Sequence, residues 1–194
     1  MLTQTNGVSF FGGRDMTTVL ASTDAMPGLA ELIEARHRLG QDGYDEVWDG
    51  VFHVAAMARF EHGDVQAQLI VVLSTLAAAK GLAVSGPVNI GLSEHDHRVP
   101  DVVVVRERLD VVWVPTAAIV VELLAPGDET YAKFDFYHAR GVEEILIADP
   151  GTRELTMFLR SAARYEPTER SVVLDTPVDA IAAGITWPQG PCNP

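Results

Sequence analysis

An α/β fold with a central mixed β-sheet flanked by helices is predicted by three features of the sequence. Two runs, Val102 to Arg106 and Ala118 to Leu124, are almost wholly β-branched or apolar, the pattern of central strands buried on both faces. Gly63 to about Lys80 carries Leu69, Ile70, Val72, Leu73, Leu76 and Ala77 at helical spacing and meets a stop at Gly81. Helix-like and strand-like segments alternate along the chain, so the sheet must bury its apolar strands against helices.

Each element has its own local reason. Residues 1–26 lack sustained periodicity and read as a loose N-terminal extension, which leaves residues 27–194 as a single domain. Leu29, Leu32, Ile33 and Arg36 are three and four apart, the mark of a short amphipathic helix ending near Gly40. After a turn at Asp42-Gly43, Tyr44 to Ala55 reads as a β-hairpin, with Glu46-Val47-Trp48 and Val51-Phe52-His53-Val54 joined by Asp49-Gly50. Asp-Gly is a favoured pair for a tight hairpin turn because both central positions need positive φ. Leu82 to Ile90 reads as one strand interrupted by Gly86-Pro87. Asp128 to Arg140 has helical spacing in Phe134, Tyr137 and Arg140 and closes at Gly141. Strands follow at Glu144 to Ala148 and Leu155 to Leu159, with a further one at Ser171 to Leu174.

Composition narrows the partners. The chain of 194 residues carries 14 Lys and Arg against 27 Asp and Glu, a net charge of −13. Sequence-independent binding of nucleic acid takes a basic footprint, which this balance opposes. The single Cys192 permits no intrachain disulfide and no cysteine metal knuckle, so a reducing cytoplasm is the expected setting. No secretory h-region is visible at the N-terminus. Leu69 to Ala79 is too short to span a bilayer and Val111 to Pro126 is broken by Pro115 and Glu122, so no membrane association is expected. Trp48, Phe52 and Trp113 are candidate contacts for a homodimer. No GxGxxG, P-loop or GxSxG motif occurs, leaving dinucleotide, NTP-hydrolysis and α/β-hydrolase chemistry without support.

Two carboxylates inside apolar strands are the informative feature. Asp101 follows Pro100 and opens Val102 to Val105, and Glu122 lies within Ile119 to Leu124. Charged groups are rarely buried unless paired, protonated or bound to metal. Strand alternation puts Asp101 on one face with Val103 and Val105, and Glu122 with Val120 and Leu124. If the strands are neighbours, the acids converge and suit Mg²⁺ or Mn²⁺. Taken singly, Asp101 also reads as a strand-start acid at the solvent edge and Glu122 as the partner of an arginine. Glu129 and Lys133, four apart, read as a helix surface pair, with Tyr137 one turn further, read first as packed against the sheet and secondarily as an active-site contact. The chain holds only two lysines, Lys80 and Lys133. His62 at a helix start reads first as a solvated cap residue, and secondarily as a general base or phosphate contact. His95 and His97, with Glu94 and Asp96, read as a solvated turn rather than a metal cluster.

Val99-Pro100-Asp101-Val102-Val103, Val120-Val121-Glu122-Leu123-Leu124-Ala125-Pro126, Glu129 with Lys133 and Tyr137, Gly141-Val142-Glu143-Glu144 and Ala148-Asp149-Pro150 together resemble the Uma2 family of endonucleases, also known as DUF820. Glu46 to Val51 and His62 match the same pattern, so the resemblance runs from about Tyr44 to Phe158. It implies the restriction-endonuclease-like PD-(D/E)XK fold and metal-dependent hydrolysis of DNA phosphodiesters. By position, Asp101 corresponds to the aspartate of the PD element and Glu122 to the acid of the second element. Both are implied metal ligands, with the backbone carbonyl of Leu123 as a third. The lysine position two after Glu122 is Leu124 here, and Lys133 is implied as its substitute. Lysine beside two carboxylates is expected to stay charged, which favours an electrostatic role over general base. Glu46 is implied as a further metal or water contact, while Glu129 replaces the family's usual aspartate. Two other readings stay open: a catalytically inactive nuclease-fold interaction module, and a metal-dependent hydrolase of a small phosphorylated substrate, which sits more easily with the acidic charge.

Overall fold

The computed structural model describes residues 19–22, 28–55, 58–125, 127 and 129–188, with the backbone alone at 19–22. In chain order the elements are β1 (Val19–Ser22), α1 (Leu29–Arg38), β2 (Glu46–Trp48), β3 (Val51–Val54), α2 (Phe60–Ala78), β4 (Ala83–Ser85), β5 (Asn89–Ser93), β6 (Asp96–Arg98), β7 (Val102–Val105), β8 (Trp113–Val114) and β9 (Ile119–Leu123). A 3₁₀ turn (Thr130–Lys133) then leads into α3 (Phe134–Arg140), β10 (Glu144–Asp149), β11 (Glu154–Arg160), β12 (Tyr165–Thr168), β13 (Arg170–Ser171), β14 (Thr176–Pro177) and α4 (Val178–Ala182).

The mixed sheet expected from the sequence is resolved into two. One six-stranded sheet has the order β1-β3-β2-β6-β5-β8, the other β12-β11-β10-β9-β7-β4, and β13-β14 form a separate ribbon. Each large sheet has one parallel pair, β5 with β8 and β9 with β10, among antiparallel ones. Alternation along β7 and β9 explains the layers. Val102, Val104, Ile119 and Val121 pack with Leu69 and Leu73 of α2 and Ile181 of α4, while Val103 and Val120 pack on the other face with Tyr137 of α3 and with Ile90 and Val114 of the first sheet. The second sheet is therefore covered on both faces, which is why its central strands carry no ordinary polar alternation.

The hairpin β2–β3 turns at Asp49 and Gly50, with φ of 49° and 82°. That geometry sets Glu46 opposite His53 and Trp48 opposite Val51. α2 begins three residues before the expected Gly63, and Leu82 N–H bonds to the Ala77 carbonyl where Gly81 (φ 71°) turns the chain out. Gly86-Pro87 separates two strands rather than interrupting one, since β4 joins the second sheet and β5 the first. Within the expected loose extension, Val19–Ser22 pairs antiparallel with β3, using an edge that the hairpin leaves open. Asp128 lies outside the described residues, and the segment after it is a 3₁₀ turn before it becomes α-helix. The strand expected at Ser171 to Leu174 ends at Ser171, because the N–H groups of Val172 and Val173 turn to the buried Glu144 carboxylate instead of a ladder. Trp48, Phe52 and Trp113 are half-buried, with Trp113 set against the His97 ring at 4.9 Å. Among the described residues, no helix is long and apolar enough to cross a membrane. Cys192 lies outside the described residues.

Candidate active site

β7 and β9 are antiparallel neighbours with Val102 opposite Val121 and Val103 opposite Val120. One step beyond that register, Asp101 and Glu122 fall opposite each other on the face that carries Val103 and Val120. Asp101 sits where the ladder ends, and its side chain continues it: Leu123 N–H donates to Oδ2 at 2.7 Å. The other oxygen meets His62 Nε2 at 2.8 Å, and Gln66 Nε2 donates to the Asp101 carbonyl at 2.8 Å. A carboxylate only accepts, so His62 carries its proton on Nε2. His62 and Gln66, four apart in α2, share one helix face and hold Asp101 at side chain and backbone together.

Glu122 is nearly fully buried. Tyr137 donates its hydroxyl to Oε1, and Lys133 Nζ lies 3.2 Å from each carboxylate oxygen. The same ammonium reaches Glu46 Oε1 at 2.9 Å, while Glu46 also accepts from Val99 N–H at 2.7 Å and Trp48 Nε1 at 2.6 Å. Two buried acids thus share one lysine, and their environments push them apart. Burial drives Glu122 up to about 8, with Lys133 opposing and the charges of Glu46 and Asp101 adding to the rise. Burial acts on Glu46 in the same sense, but Lys133, the Val99 N–H and the Trp48 indole outweigh it and hold Glu46 below the usual carboxylate value. Burial and the Glu122 charge raise the Tyr137 hydroxyl well above its ordinary value, so it is a donor throughout the working pH range.

Asp101, Glu122, Leu123, Lys133, Glu46, His62 and Glu129 line one cleft of about 620 Å³, joined by Asp45, Arg36, Tyr44, Trp48 and His53. Tyr137 stands behind it, fully buried, as packing against the sheet requires. Lys133 does not stay on the surface beside Glu129, as α-helical spacing predicts. At three residues per turn, the 3₁₀ segment rotates positions four apart out of line, and Lys133 enters the cleft floor at 9% exposure. His62 is a half-buried partner of Asp101 rather than a solvated cap. His95 is exposed in the turn before β6, as expected, but His97 is buried in β6 opposite Val47.

Several contributors escape the motif reading. His53, 6% exposed, stacks on Trp48 with ring centroids 4.0 Å apart. Its Nδ1 has no hydrogen-bond partner among the described residues, and Glu129 Oε2 at 3.6 Å is beyond bonding distance. Burial lowers His53 to about 4, so the imidazole is neutral near pH 7. Arg98 lies between the rings of Trp48 and Phe136, at 4.6 and 4.1 Å from their centroids. The hairpin register, legible from Asp49-Gly50, was the available signal for His53, and the i, i+4 spacing from His62 was the signal for Gln66.

The donor set fits a hard divalent cation. Among the described residues, no three His, Cys, Asp or Glu side chains gather into a metal cage. Mg²⁺ commonly uses only one or two carboxylates, with water and substrate oxygens completing its shell. Asp101 and Glu122 supply such a pair; burial first, and then the charges of Glu46 and Asp101, raise Glu122, and a cation there offsets both.

Comparison with known proteins gives a consistent picture. The Uma2 family model, described as "Putative restriction endonuclease", matches residues 32–187. The solved structure of a "putative nuclease belonging to DUF820 from Anabaena variabilis ATCC 29413" is similar with a TM-score of 0.54 and 15% identity, over 73% of this chain and 84% of that one. At that identity the likeness speaks to the fold. No curated protein matches this sequence.

Proposed function

Since the chain belongs to the Uma2 family, we propose that it is a divalent-metal-dependent nuclease hydrolysing DNA phosphodiester bonds in the cleft of Asp101, Glu122 and Lys133. The observation that carries this reading is the opposition of Asp101 and Glu122 across adjacent strands, with Glu122 pushed to about 8 by burial and neighbouring acids. Mg²⁺ or Mn²⁺ held by Asp101 and Glu122, with the Leu123 carbonyl as an implied third ligand, supplies Lewis acidity toward the attacking water and the phosphoryl oxygens.

The chain's own residues do the rest. His62 Nε2 and Leu123 N–H fix both oxygens of Asp101, so its orientation is set before substrate arrives. Tyr137 holds Glu122 at Oε1. Lys133 is aimed into the cleft by its bonds to Glu46 and Glu122, and its positive charge stabilises the negative charge that builds on the phosphoryl oxygens during in-line attack. Glu46 anchors this ammonium independently of Glu122, so Lys133 would keep its place with Glu122 holding a cation.

The test is a cleavage assay on plasmid and oligonucleotide DNA with Mg²⁺, Mn²⁺ or EDTA, using wild type, Asp101→Asn and Glu122→Gln prepared in parallel. Cleavage should require metal and fall at least about 100-fold in both variants, the scale of losing a charge that stabilises the transition state. Equal residual cleavage by all three proteins refutes the proposal.

A further inference from the structure

The β2–β3 hairpin meets the segment before α3 at two adjacent points. Glu46 and His53 stand opposite each other across the two strands. Glu46 takes the Lys133 ammonium at 2.9 Å, and His53 faces Glu129, four residues earlier in that segment, with Nδ1 3.6 Å from Oε2. All four residues line the cleft with Asp101 and Glu122. The first contact is a charge-assisted hydrogen bond; the second is about 0.7 Å too long to be one.

His53 is placed to close that gap. Its side chain is 7% exposed, and its ring lies on Trp48 with centroids 4.0 Å and planes 18° apart. Nδ1 is nonetheless without a partner among the described residues. A buried polar atom in that state has lost water and gained nothing for it, which calls for a role. His97 Nδ1, Arg98 Nε and Arg140 Nε share the condition, but those residues do not line the cleft. The neutral imidazole carries one ring proton, and a carboxylate only accepts, so Glu129 selects the form protonated on Nδ1.

Hydrolysis of a phosphodiester needs a group that takes a proton from the attacking water. Asp101 accepts from His62 and Leu123 N–H, Glu46 from Lys133, Val99 and Trp48, and Glu122 from Tyr137 and Lys133. Glu129 has instead a side chain 42% exposed, in reach of cleft water, with one buried donor facing it. We infer that Glu129 is the general base of the reaction, and that His53 positions it through an Nδ1–H···Oε2 hydrogen bond that tightens when substrate enters. This deepens the nuclease reading and rests on it for the chemistry.

In the step, one O–H bond of the water breaks and its proton passes to Glu129, while an electron pair of the water oxygen forms the new bond to phosphorus. The bond from phosphorus to the leaving 3′ oxygen breaks, its electron pair stays on that oxygen, and solvent protonates it. Glu129 then returns its proton to solvent from its exposed side. One short segment thus removes the proton through Glu129 and stabilises the phosphoryl charge through Lys133.

The test is steady-state cleavage of DNA by the full chain with Mg²⁺, comparing wild type with Glu129→Gln, Glu129→Ala, His53→Phe and His53→Asn. Glu129→Gln should lower kcat about 100-fold or more with KM little changed, the scale of a lost general base. Formate, a small carboxylate, should restore Glu129→Ala in proportion to its concentration. His53→Phe keeps the stack on Trp48 and should lower kcat roughly 10- to 100-fold. His53→Asn puts an amide nitrogen near the Nδ1 position and should recover most of that loss, which packing alone would not do. Mg²⁺ should raise the unfolding midpoint of Glu129→Gln as it does that of wild type. Wild-type kcat in Glu129→Gln overturns the inference and leaves the nuclease reading standing, as does loss of the Mg²⁺ shift in that variant, which would make Glu129 a metal ligand. Equal kcat in His53→Phe and His53→Asn overturns the positioning role. Wild type that cleaves no DNA with any divalent metal sinks the nuclease reading itself, and the general base with it.

Discussion

Replacing Glu122 by Gln should stabilise the metal-free protein at alkaline pH and leave it unchanged in mild acid. Glu122 ordinarily titrates near 4.5 and is raised to about 8 in the folded chain. Between those values the unfolded chain has released this proton while the folded chain keeps it. Stability therefore falls as pH rises through that window, and is lowest above about 8. At about 1.4 kcal/mol per tenfold change in proton affinity, the gap corresponds to roughly 5 kcal/mol as an upper bound. Structural relaxation and water entry around a buried carboxylate reduce this to ~2–4 kcal/mol. Glutamine keeps an oxygen for the Tyr137 hydroxyl and mimics the protonated acid, so the variant should match wild type near pH 5 and exceed it by that amount at pH 8. His53, lowered to about 4, acts in the opposite sense as pH falls below its ordinary 6.5, but equally in both proteins, so it cancels in the difference. The assay is urea unfolding in EDTA at constant ionic strength from pH 5 to pH 8. Parallel stability curves for the two proteins would mean that Glu122 is ionised throughout, and would refute the argument from burial and neighbouring charge on which the metal assignment depends. Mg²⁺ added at pH 8 should raise the midpoint of wild type and leave that of Glu122→Gln unmoved.

Two further outcomes test the scaffold. Glu144, completely buried at the start of β10, accepts from Ser171 Oγ and from the N–H groups of Val172 and Val173. Glu144→Ala strands these donors and should cost about 3 kcal/mol or more in urea unfolding, with amide protection at Val172 and Val173 lost first; a change below 1 kcal/mol would show that the turn does not need its acceptor. A Cβ on Gly91 would lie 2.7 Å from the Asp96 carbonyl and 2.8 Å from His97 Cβ across the β5–β6 pair. Gly91→Ala should therefore destabilise by ~1–3 kcal/mol through overpacking, seen as a lowered thermal midpoint, and an unchanged midpoint would show that the hairpin yields freely.

Local chemistry made much of the site readable in one dimension. Alternation placed Asp101 with Val103 and Glu122 with Val120, and these valines do share the face covered by Tyr137. Asp49-Gly50 specified the hairpin register that sets Glu46 opposite His53. The elements that were hard to read are those in which local propensity is weak or overruled: the two-residue strands β8, β13 and β14, and the chain around Gly86-Pro87, whose two sides belong to different sheets. Two residues carry too little periodicity to identify a strand, and no local signal says which sheet a short strand will join.

Periodicity and turn chemistry act between residues a few positions apart, so the amino-acid order alone determined the faces, the hairpin and the long helix. It also placed two acids inside apolar strands, where burial forces them to be paired, protonated or bound. Whether they meet was decided by the antiparallel pairing of β7 with β9, a contact between segments about twenty residues apart that depends on the α2 and α3 layers closing over the sheet. Lys133 shows the same division most plainly. Its spacing from Glu129 spelled a surface pair, yet the 3₁₀ turn and the hairpin arriving from Glu46 drew it inward, 87 residues along the chain from its partner. A buried ammonium needs buried carboxylates, and only the folded chain brings Glu46 and Glu122 to the same point.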